Sequence, residues 1–135
     1  MGLRRESRKC AMHVLYTMDI CKTDKSESEK YFWTNRQINN RVVAFSKELV
    51  DGTVSNLEEI NKLLAETADN WEVTRMTSVD RAILRLAVYE LMYTPQTPSK
   101  VVINEAIELA KEYSTEHSGR FVNGILDKIN KLKSG

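Results

Sequence analysis

Apolar residues recur along this chain at the spacing of helices, and no stretch alternates between apolar and polar positions as a half-buried strand would. The first predicted helix spans about residues 3–20 and carries an apolar stripe at the i, i+3, i+4, i+7 spacing. That stripe consists of Ala11, Val14, Leu15 and Met18. The polar stretch CKTDKSESEK follows, and an aromatic cluster then predicts a short helix or turn at the core edge: Tyr31, Phe32 and Trp33.

A second periodic segment runs from about residue 38 to residue 68 and keeps nearly one helical phase across Gly52. Its apolar positions are Ile38, Val42, Phe45, Leu49, Leu57, Ile60 and Leu64. A glycine inside such a pattern either breaks the helix or lets it pack closely against a neighbour. The pattern leaves both possibilities open, so the segment is one long helix or two.

The segment VDRAILRLAVYELMY, residues 79–93, is apolar almost all the way round. Such a helix is expected only where other helices surround it, so we predict that this one forms the centre of the fold. Ser78 is a plausible N-cap for it, and Pro95 and Pro98 close the loop that follows.

Two more helices complete the chain. Thr97 and Pro98 suit the N-cap and first turn of the next helix, whose apolar stripe is Ile103, Ala106, Ile107, Ala110 and Tyr113. The last helix, about residues 116–132, buries Val122, Ile125, Leu126 and Ile129. The pattern therefore predicts an all-α fold in a single domain over residues 1–135, a length near the commonest domain size.

Composition narrows the classes of function. The longest apolar run is far short of the ~18 residues of a membrane span, and no signal-peptide stretch follows the first arginines, so we expect a cytoplasmic protein. Cys10 and Cys21 lie about 16 Å apart along one helix, too far for a disulfide, and are expected to be free thiols. The cysteines and histidines have no zinc spacing, and no phosphate loop or nucleophile motif is present. We therefore expect no catalytic residue, cofactor or metal.

The net charge is only +1, but both ends of the chain are basic. At 100° per residue, four cations of the first helix cluster within about 140° and lie roughly 100° from the apolar stripe: Arg4, Arg5, Arg8 and Lys9. This basic strip is predicted to be exposed. It is either a solvated helix end or a surface that contacts phosphates and releases counterions.

Two large side chains, Met12 and Tyr16, fall on the same predicted exposed side as Arg5 and Lys9. A thioether and a ring beside cations favour a surface kept for another macromolecule, although packing against a loop would also explain them.

One face of the last helix places an aromatic ring at the rim of its apolar stripe; its residues are His117, Phe121, Gly124 and Lys128. Such a ring either stacks on an unpaired base or folds into the core edge. On the central helix, Arg81 and Arg85 emerge along one polar strip, and Asp80 suits the positive end of the helix dipole. Ion pairing within the bundle is the default expectation for those three. The acids Glu105, Glu108 and Glu112 follow a polar helix side, which predicts a solvated face.

The motifs themselves resemble a known family. RRESRKCAMHVLY at 4–16 is similar to the arginine-rich opening of NusB proteins, and VDRAILRLAVYEL with VVINEAIELAKEYSTEHSGRFVNGILDKI resembles their carboxyl half. The resemblance covers nearly the whole chain and is most specific from Asp80 to Asp127. It implies two perpendicular helical bundles, binding to the single-stranded boxA segment of ribosomal RNA leader transcripts, and a heterodimer with NusE, a small-subunit ribosomal protein.

The resemblance also assigns residues to two surfaces. Arg4, Arg5 and Arg8 match the arginine-rich RNA-binding opening, and Phe121 matches the aromatic of the "FVNG" motif on the RNA side. With them, Lys9, Arg85 and Arg120 complete the expected RNA-binding set. Tyr16 and Asp80 match positions that face NusE, and Met12 joins them on the expected partner surface.

Three functions remain to be separated. The first is an RNA- and NusE-binding module that scaffolds an antitermination complex on RNA polymerase. The second is the NusB-like helical domain of a ribosomal RNA cytosine methyltransferase, which is disfavoured because the chain ends at KINKLKSG without a catalytic domain. The third is a helical adaptor that binds only protein. Whether the free chain self-associates through its partner surface stays open.

Overall fold

The computed structural model of the chain describes residues 2–34, 36–68 and 76–134. Within these ranges all regular structure is α-helical, as predicted, and none of the helices is long and apolar enough to cross a membrane. The helices are α1 (Leu3–Cys21), α2 (Lys25–Trp33), α3 (Asn40–Ser55), α4 (Leu57–Thr67), α5 (Ser78–Tyr93), α6 (Ser99–Tyr113) and α7 (Glu116–Ser134).

Helix α5 lies at the centre and contacts α1, α3, α4, α6 and α7. Leu84, Leu86 and Val88 are each at most 2% exposed, which confirms the predicted central position of residues 79–93. Burying one such side chain stabilises a fold by about 1.5–3 kcal/mol. A helix with one apolar stripe buries only one side, whereas α5 must bury apolar surface against five helices. This explains why α5 is apolar almost all round.

Side-chain caps begin α2, α3 and α5. The Thr77 hydroxyl accepts a hydrogen bond from the Asp80 backbone N–H at 3.1 Å and caps α5. The predicted cap, Ser78, is instead the first helical residue, so that prediction was wrong by one position. Pro98, not Thr97, occupies the N-cap position of α6. The aromatic cluster belongs to α2, which begins at an Asp24 cap and buries Phe32 in the core.

The long periodic segment is two helices, and the break lies at Asn56 rather than at Gly52. The Asn56 amide group donates to the Gly52 carbonyl oxygen at 2.8 Å and closes the end of α3. Gly52 itself lies inside α3. A β-carbon at this position would overlap the ring of Tyr89 on α5, so only glycine fits here without a shift. The glycine therefore allows close packing of α3 on α5, one of the two alternatives that the pattern left open.

Two groups of helices pack against α5, as the predicted two-bundle all-α fold requires. In one, α1 packs on α2 and α3; in the other, α6 packs on α7, which also contacts α4. Two ion pairs hold α1 antiparallel to α5, because Arg8 near its start meets Glu90 and Asp19 near its end meets Arg81.

Both cysteines are free thiols, as expected. Cys10 is buried in the core, where burial raises the pKa of its thiol to about 11 and keeps it protonated at neutral pH, whereas Cys21 is exposed.

Candidate nucleic-acid and partner surfaces

The basic strip on α1 faces an acidic side of α6. Arg5 donates two hydrogen bonds to the Glu105 carboxylate, from Nε at 3.0 Å and from Nη2 at 2.6 Å. Lys9 lies 3.3 Å from the Glu112 carboxylate. The Arg5 hydrogen bonds lower the pKa of Glu105. The predicted solvated acidic face therefore holds for the exposed Glu108 and Glu112 but not for Glu105, which is 15% exposed and paired with Arg5.

Arg8 departs most from the predicted exposed strip. Its side chain is only 6% exposed, and it donates two hydrogen bonds to the Glu90 carboxylate, at 2.8 and 2.9 Å. The Glu90 side chain is 2% exposed. Such a bidentate buried pair fixes both side chains in one geometry. The prediction that Arg8 is exposed was wrong, and its side chain joins α1 to α5 instead of pointing to solvent.

Arg4 is the exception among the four cations. It is exposed, has no ion-pair partner in the described ranges, and its guanidinium carbon lies 4.1 Å from the centre of the Phe45 ring on α3. A guanidinium stacked on an aromatic face keeps its N–H groups free to donate at its edges. Arg4 is therefore the cation of the strip whose charge is least compensated.

The predicted exposure of Met12 was also wrong. Met12 is 2% exposed and belongs to the hydrophobic core, and Tyr16 is half-buried against that core. The side of α1 that the sequence assigned to solvent is thus covered along part of its length. Tyr16 still has a free part of its ring surface, so it alone of these two can contact a partner directly.

Asp80 is buried at the start of α5 and is 5% exposed, so its side chain does not lie on the open surface that the partner assignment implied. Its Oδ2 accepts a hydrogen bond from the Ser118 hydroxyl of α7 at 3.0 Å, while Oδ1 is buried without a described partner. Ser118 also contacts Ser114 at 2.7 Å. Asp80 therefore holds the first turn of α7 against α5.

The rim position of Phe121 on α7 is confirmed. Phe121 is half-buried against the core, whereas His117 and Gly124 on the same face are exposed. Arg120, one residue earlier, is exposed and lines a groove with Lys111 and Asn123. An aromatic edge beside an exposed arginine is a combination that can bind an unpaired base.

Arg81 and Arg85 are both engaged within the bundle. Arg81 donates to the Asp19 carboxylate at 2.8 Å from Nε, and Arg85 donates from Nε to the Asn61 amide oxygen at 2.9 Å. Burial lowers the pKa of Arg85, which nevertheless stays charged at neutral pH. The default expectation of pairing within the bundle therefore holds for the two arginines, whereas Asp80 binds a hydroxyl group instead.

The structure does not bring all predicted RNA residues together. The basic strip of α1 contacts α5 near the carboxyl end of α5, at Glu90. The first turn of α7 contacts α5 near the amino end of α5, at Asp80. Ten residues of helix separate these points, about 15 Å along the α5 axis. Arg4 and Phe121 therefore belong to different regions of the surface.

Two residues of α3 that the sequence analysis did not single out lie beside Arg4. Arg41 and Phe45 line the same groove as Arg4, and Arg41 is exposed without a described ion-pair partner. Arg41 and Phe45 are four residues apart, and this spacing predicts that a cation and an aromatic ring share one face of the helix. The sequence pattern assigned Phe45 to the buried apolar stripe, and for that reason it did not predict a surface role for the pair.

These features define a class: an all-helical domain whose exposed arginines lie beside aromatic rings, as in proteins that bind other macromolecules through their surface. No cluster of three or more metal-ligating side chains occurs in the described part of the chain.

Comparison with known proteins agrees with this class. The sequence model of the NusB family matches residues 5–131. The transcription antitermination protein NusB of Geobacter sp. (strain M21) is 42% identical over 137 residues, with 96% of this chain and 94% of the relative covered. The chain belongs to the NusB family.

Solved structures share its fold. One is a crystal structure of antitermination factors NusB and NusE in complex with dsRNA, with a TM-score of 0.90 and 31% identity over 98% of both chains. Another is NusB of T. maritima, with a TM-score of 0.88 and 35% identity, covering 95% of this chain and 90% of that one.

Proposed function

We propose that this protein is a transcription antitermination factor that binds the single-stranded boxA segment of ribosomal RNA leader transcripts as a heterodimer with NusE. The observation that carries the proposal is the fold match, over 98% of both chains, to a factor crystallised with NusE and double-stranded RNA. The exposed Arg4 over the Phe45 ring, together with the exposed Arg120 and the half-buried Phe121 of α7, supply the cations and rings that single-stranded RNA recognition combines.

The protein acts by positioning and performs no chemical step. The heterodimer captures boxA as the transcript leaves RNA polymerase and scaffolds the antitermination complex on the enzyme. The whole chain works as one domain in the cytoplasm. Without NusE the free protein can pair with a second copy through the same partner surface.

The residues contribute in different ways. Arg4 and Arg120 contact RNA directly, and Phe121 offers its rim edge to a base. Arg5 and Lys9 contact phosphate only by exchanging a carboxylate for it, because Glu105 and Glu112 already neutralise them. The half-buried Arg85 is engaged with Asn61 and contacts RNA only if it leaves that partner.

On the partner side, Tyr16 contacts NusE. The buried Met12 supports the helix that carries Tyr16, and Asp80 positions the first turn of α7.

The test is a fluorescence anisotropy titration of boxA RNA with this protein, alone and with NusE, at several salt concentrations. We expect NusE to raise the affinity. The logarithm of the binding constant should fall linearly with the logarithm of the salt concentration, by about 0.7 for each phosphate contacted. A scrambled RNA of the same length is the control. Binding of NusE without any affinity for boxA would identify a protein-only adaptor and contradict the proposal.

A further inference from the structure

A groove between α1 and α3 contains two arginines that form no ion pair among the described residues. Its first part has a volume of about 390 Å³ and is lined by Leu3, Arg4, Ser7, Arg41, Ala44, Phe45 and Glu48. Arg4 and Arg41 are both exposed and have no ion-pair partner among the described residues. With Glu48 as the single acid, the lining carries one net positive charge.

Aromatic surface accompanies these charges. The guanidinium of Arg4 stacks over Phe45 with 4.1 Å between its carbon and the ring centre. Beyond Phe45 and Glu48 lies a second part of about 430 Å³, which is lined by Tyr89 of α5 and by two acids, Glu48 and Asp51. Asp51 is paired with Lys25 of α2. The Tyr89 ring is itself stacked on Tyr93. The first part of the groove therefore combines two cations with an aromatic face, as single-stranded nucleic-acid sites do.

The contrast with the rest of the α1 strip points to the occupant. Arg5, Arg8 and Lys9 each form an ion pair with a carboxylate of α5 or α6. These carboxylates reduce the attraction of the three cations for a phosphate. Toward α3, in contrast, Arg4 and Arg41 form no ion pair among the described residues, and Glu48 is the one acid in that part of the groove. A polyanion that follows the strip is therefore drawn into the α3 groove, which is continuous with the strip at Arg4.

We infer that the α1–α3 groove is an RNA subsite for nucleotides that flank boxA, with Arg41 as a phosphate-binding residue and the Arg4–Phe45 stack as a platform for one base. This inference rests on the proposed function, because it extends the path of the same RNA. Planar stacking on a guanidinium held by a ring is a recognised way of binding an unpaired base.

The test compares two RNAs, boxA alone and boxA with unstructured flanks on both sides, binding to the full chain together with NusE. Arg41→Ala should leave the affinity for the short RNA unchanged. It should lower the salt slope for the flanked RNA by about 0.7, the value for one lost phosphate contact. Phe45→Leu keeps an apolar side chain but removes the ring, and should weaken binding of the flanked RNA by about 5-fold or more.

Lys47→Ala is the matched control, because Lys47 is an exposed cation of the same helix that does not line the groove. It should leave both RNAs unaffected. Thermal melts of each variant show that it is folded, and the exposed Arg41 keeps the test valid if Phe45→Leu is unstable.

The possible failures are distinct. If the wild type binds both RNAs and Arg41→Ala behaves like Lys47→Ala on both, the groove assignment is overturned while the proposed function stands. Loss of NusE binding in Arg41→Ala, with RNA binding of the protein alone intact, would assign the groove to a protein contact and overturn the inference. A wild type that binds neither RNA, with or without NusE, contradicts the proposed function and the subsite together.

Discussion

Arg4, Arg5 and Arg8 lie within two turns of α1 and yet meet three different environments: an aromatic ring, a surface carboxylate and a buried carboxylate. Their side-chain types and helical spacing are nearly equivalent, so the sequence predicted a single role for all three. The three arginines differ in the side chain that tertiary packing places beside each of them. A phosphate contacts an uncompensated guanidinium readily, whereas it must displace Glu105 from Arg5 and cannot reach Arg8 without opening the core.

The buried pair gives a prediction at this scale. Arg8→Ala should lower the free energy of unfolding by about 3–5 kcal/mol, because it leaves the Glu90 carboxylate buried without its partner. Urea denaturation measures this change. Arg5→Ala is the control, since that side chain is exposed and its loss should hardly alter the denaturation midpoint.

The double variant Arg8→Met/Glu90→Leu sharpens the argument. It removes both charges and retains apolar volume, so it should recover most of the stability that Arg8→Ala loses. A single Arg8→Ala variant as stable as the wild type would show that the pair is not buried in solution. Any loss of RNA binding by Arg8→Ala must accordingly be corrected for unfolding before it is assigned to a lost contact.

The helices themselves were largely predictable. Six of the observed helices correspond to predicted periodic segments, because an apolar stripe with a 3.6-residue period has only one stable arrangement against a core. The break at Asn56 was not predictable, since the apolar phase continues through it. The errors on α1 share one cause: α2, α3 and α5 pack around this helix and side chains of α6 also reach it, so the buried arc is wider than the apolar stripe and includes Met12 and Arg8.

Gly52 offers a test of how α3 packs on α5. In an exposed helix Gly→Ala stabilises by up to about 1 kcal/mol. Here the added methyl group would overlap the Tyr89 ring, so Gly52→Ala should instead lower the free energy of unfolding by about 1–3 kcal/mol. In a Tyr89→Ala background the same change should become stabilising, because the obstructing ring is gone. Chemical denaturation of the four proteins of this cycle measures the sign, and an unchanged sign between the two backgrounds would refute the close contact.

At the scale of the whole molecule, the central helix separates the two groups of residues to which we assign function. Near its carboxyl end lie the α1 strip and the α3 groove, and near its amino end lie Asp80, Ser118 and the first turn of α7. The distance of about 15 Å along α5 means that one RNA strand contacting both Arg4 and Phe121 must cross the surface between them. The sequence predicted Arg4, Asp80 and Phe121 as site residues but neither Arg41 and Ser118 nor this separation, which depends on how α1 and α7 pack on opposite ends of α5.

The two aromatics Tyr16 and Phe121 test whether the partner and RNA surfaces are separate. Tyr16→Ala should chiefly weaken NusE binding, by about 2 kcal/mol or more, as loss of a central interface aromatic commonly does. Phe121→Ala should weaken RNA binding by roughly 1–3 kcal/mol, the value of one stacked base, and leave NusE affinity near that of the wild type. Tyr31→Ala is the matched control, because that ring is 73% exposed on α2 and belongs to neither surface.

Stability decides how these titrations are interpreted, because both rings are half-buried against the core. Each variant therefore needs a thermal melt beside its NusE and RNA titrations, performed well below its melting temperature. If Phe121 serves mainly the core, its truncation will cost about 3–5 kcal/mol of stability and both bindings will fail together. If a variant remains folded and loses both partners in parallel, the surfaces are coupled, and the Ser118–Asp80 contact that joins α7 to α5 is the first place to seek the coupling.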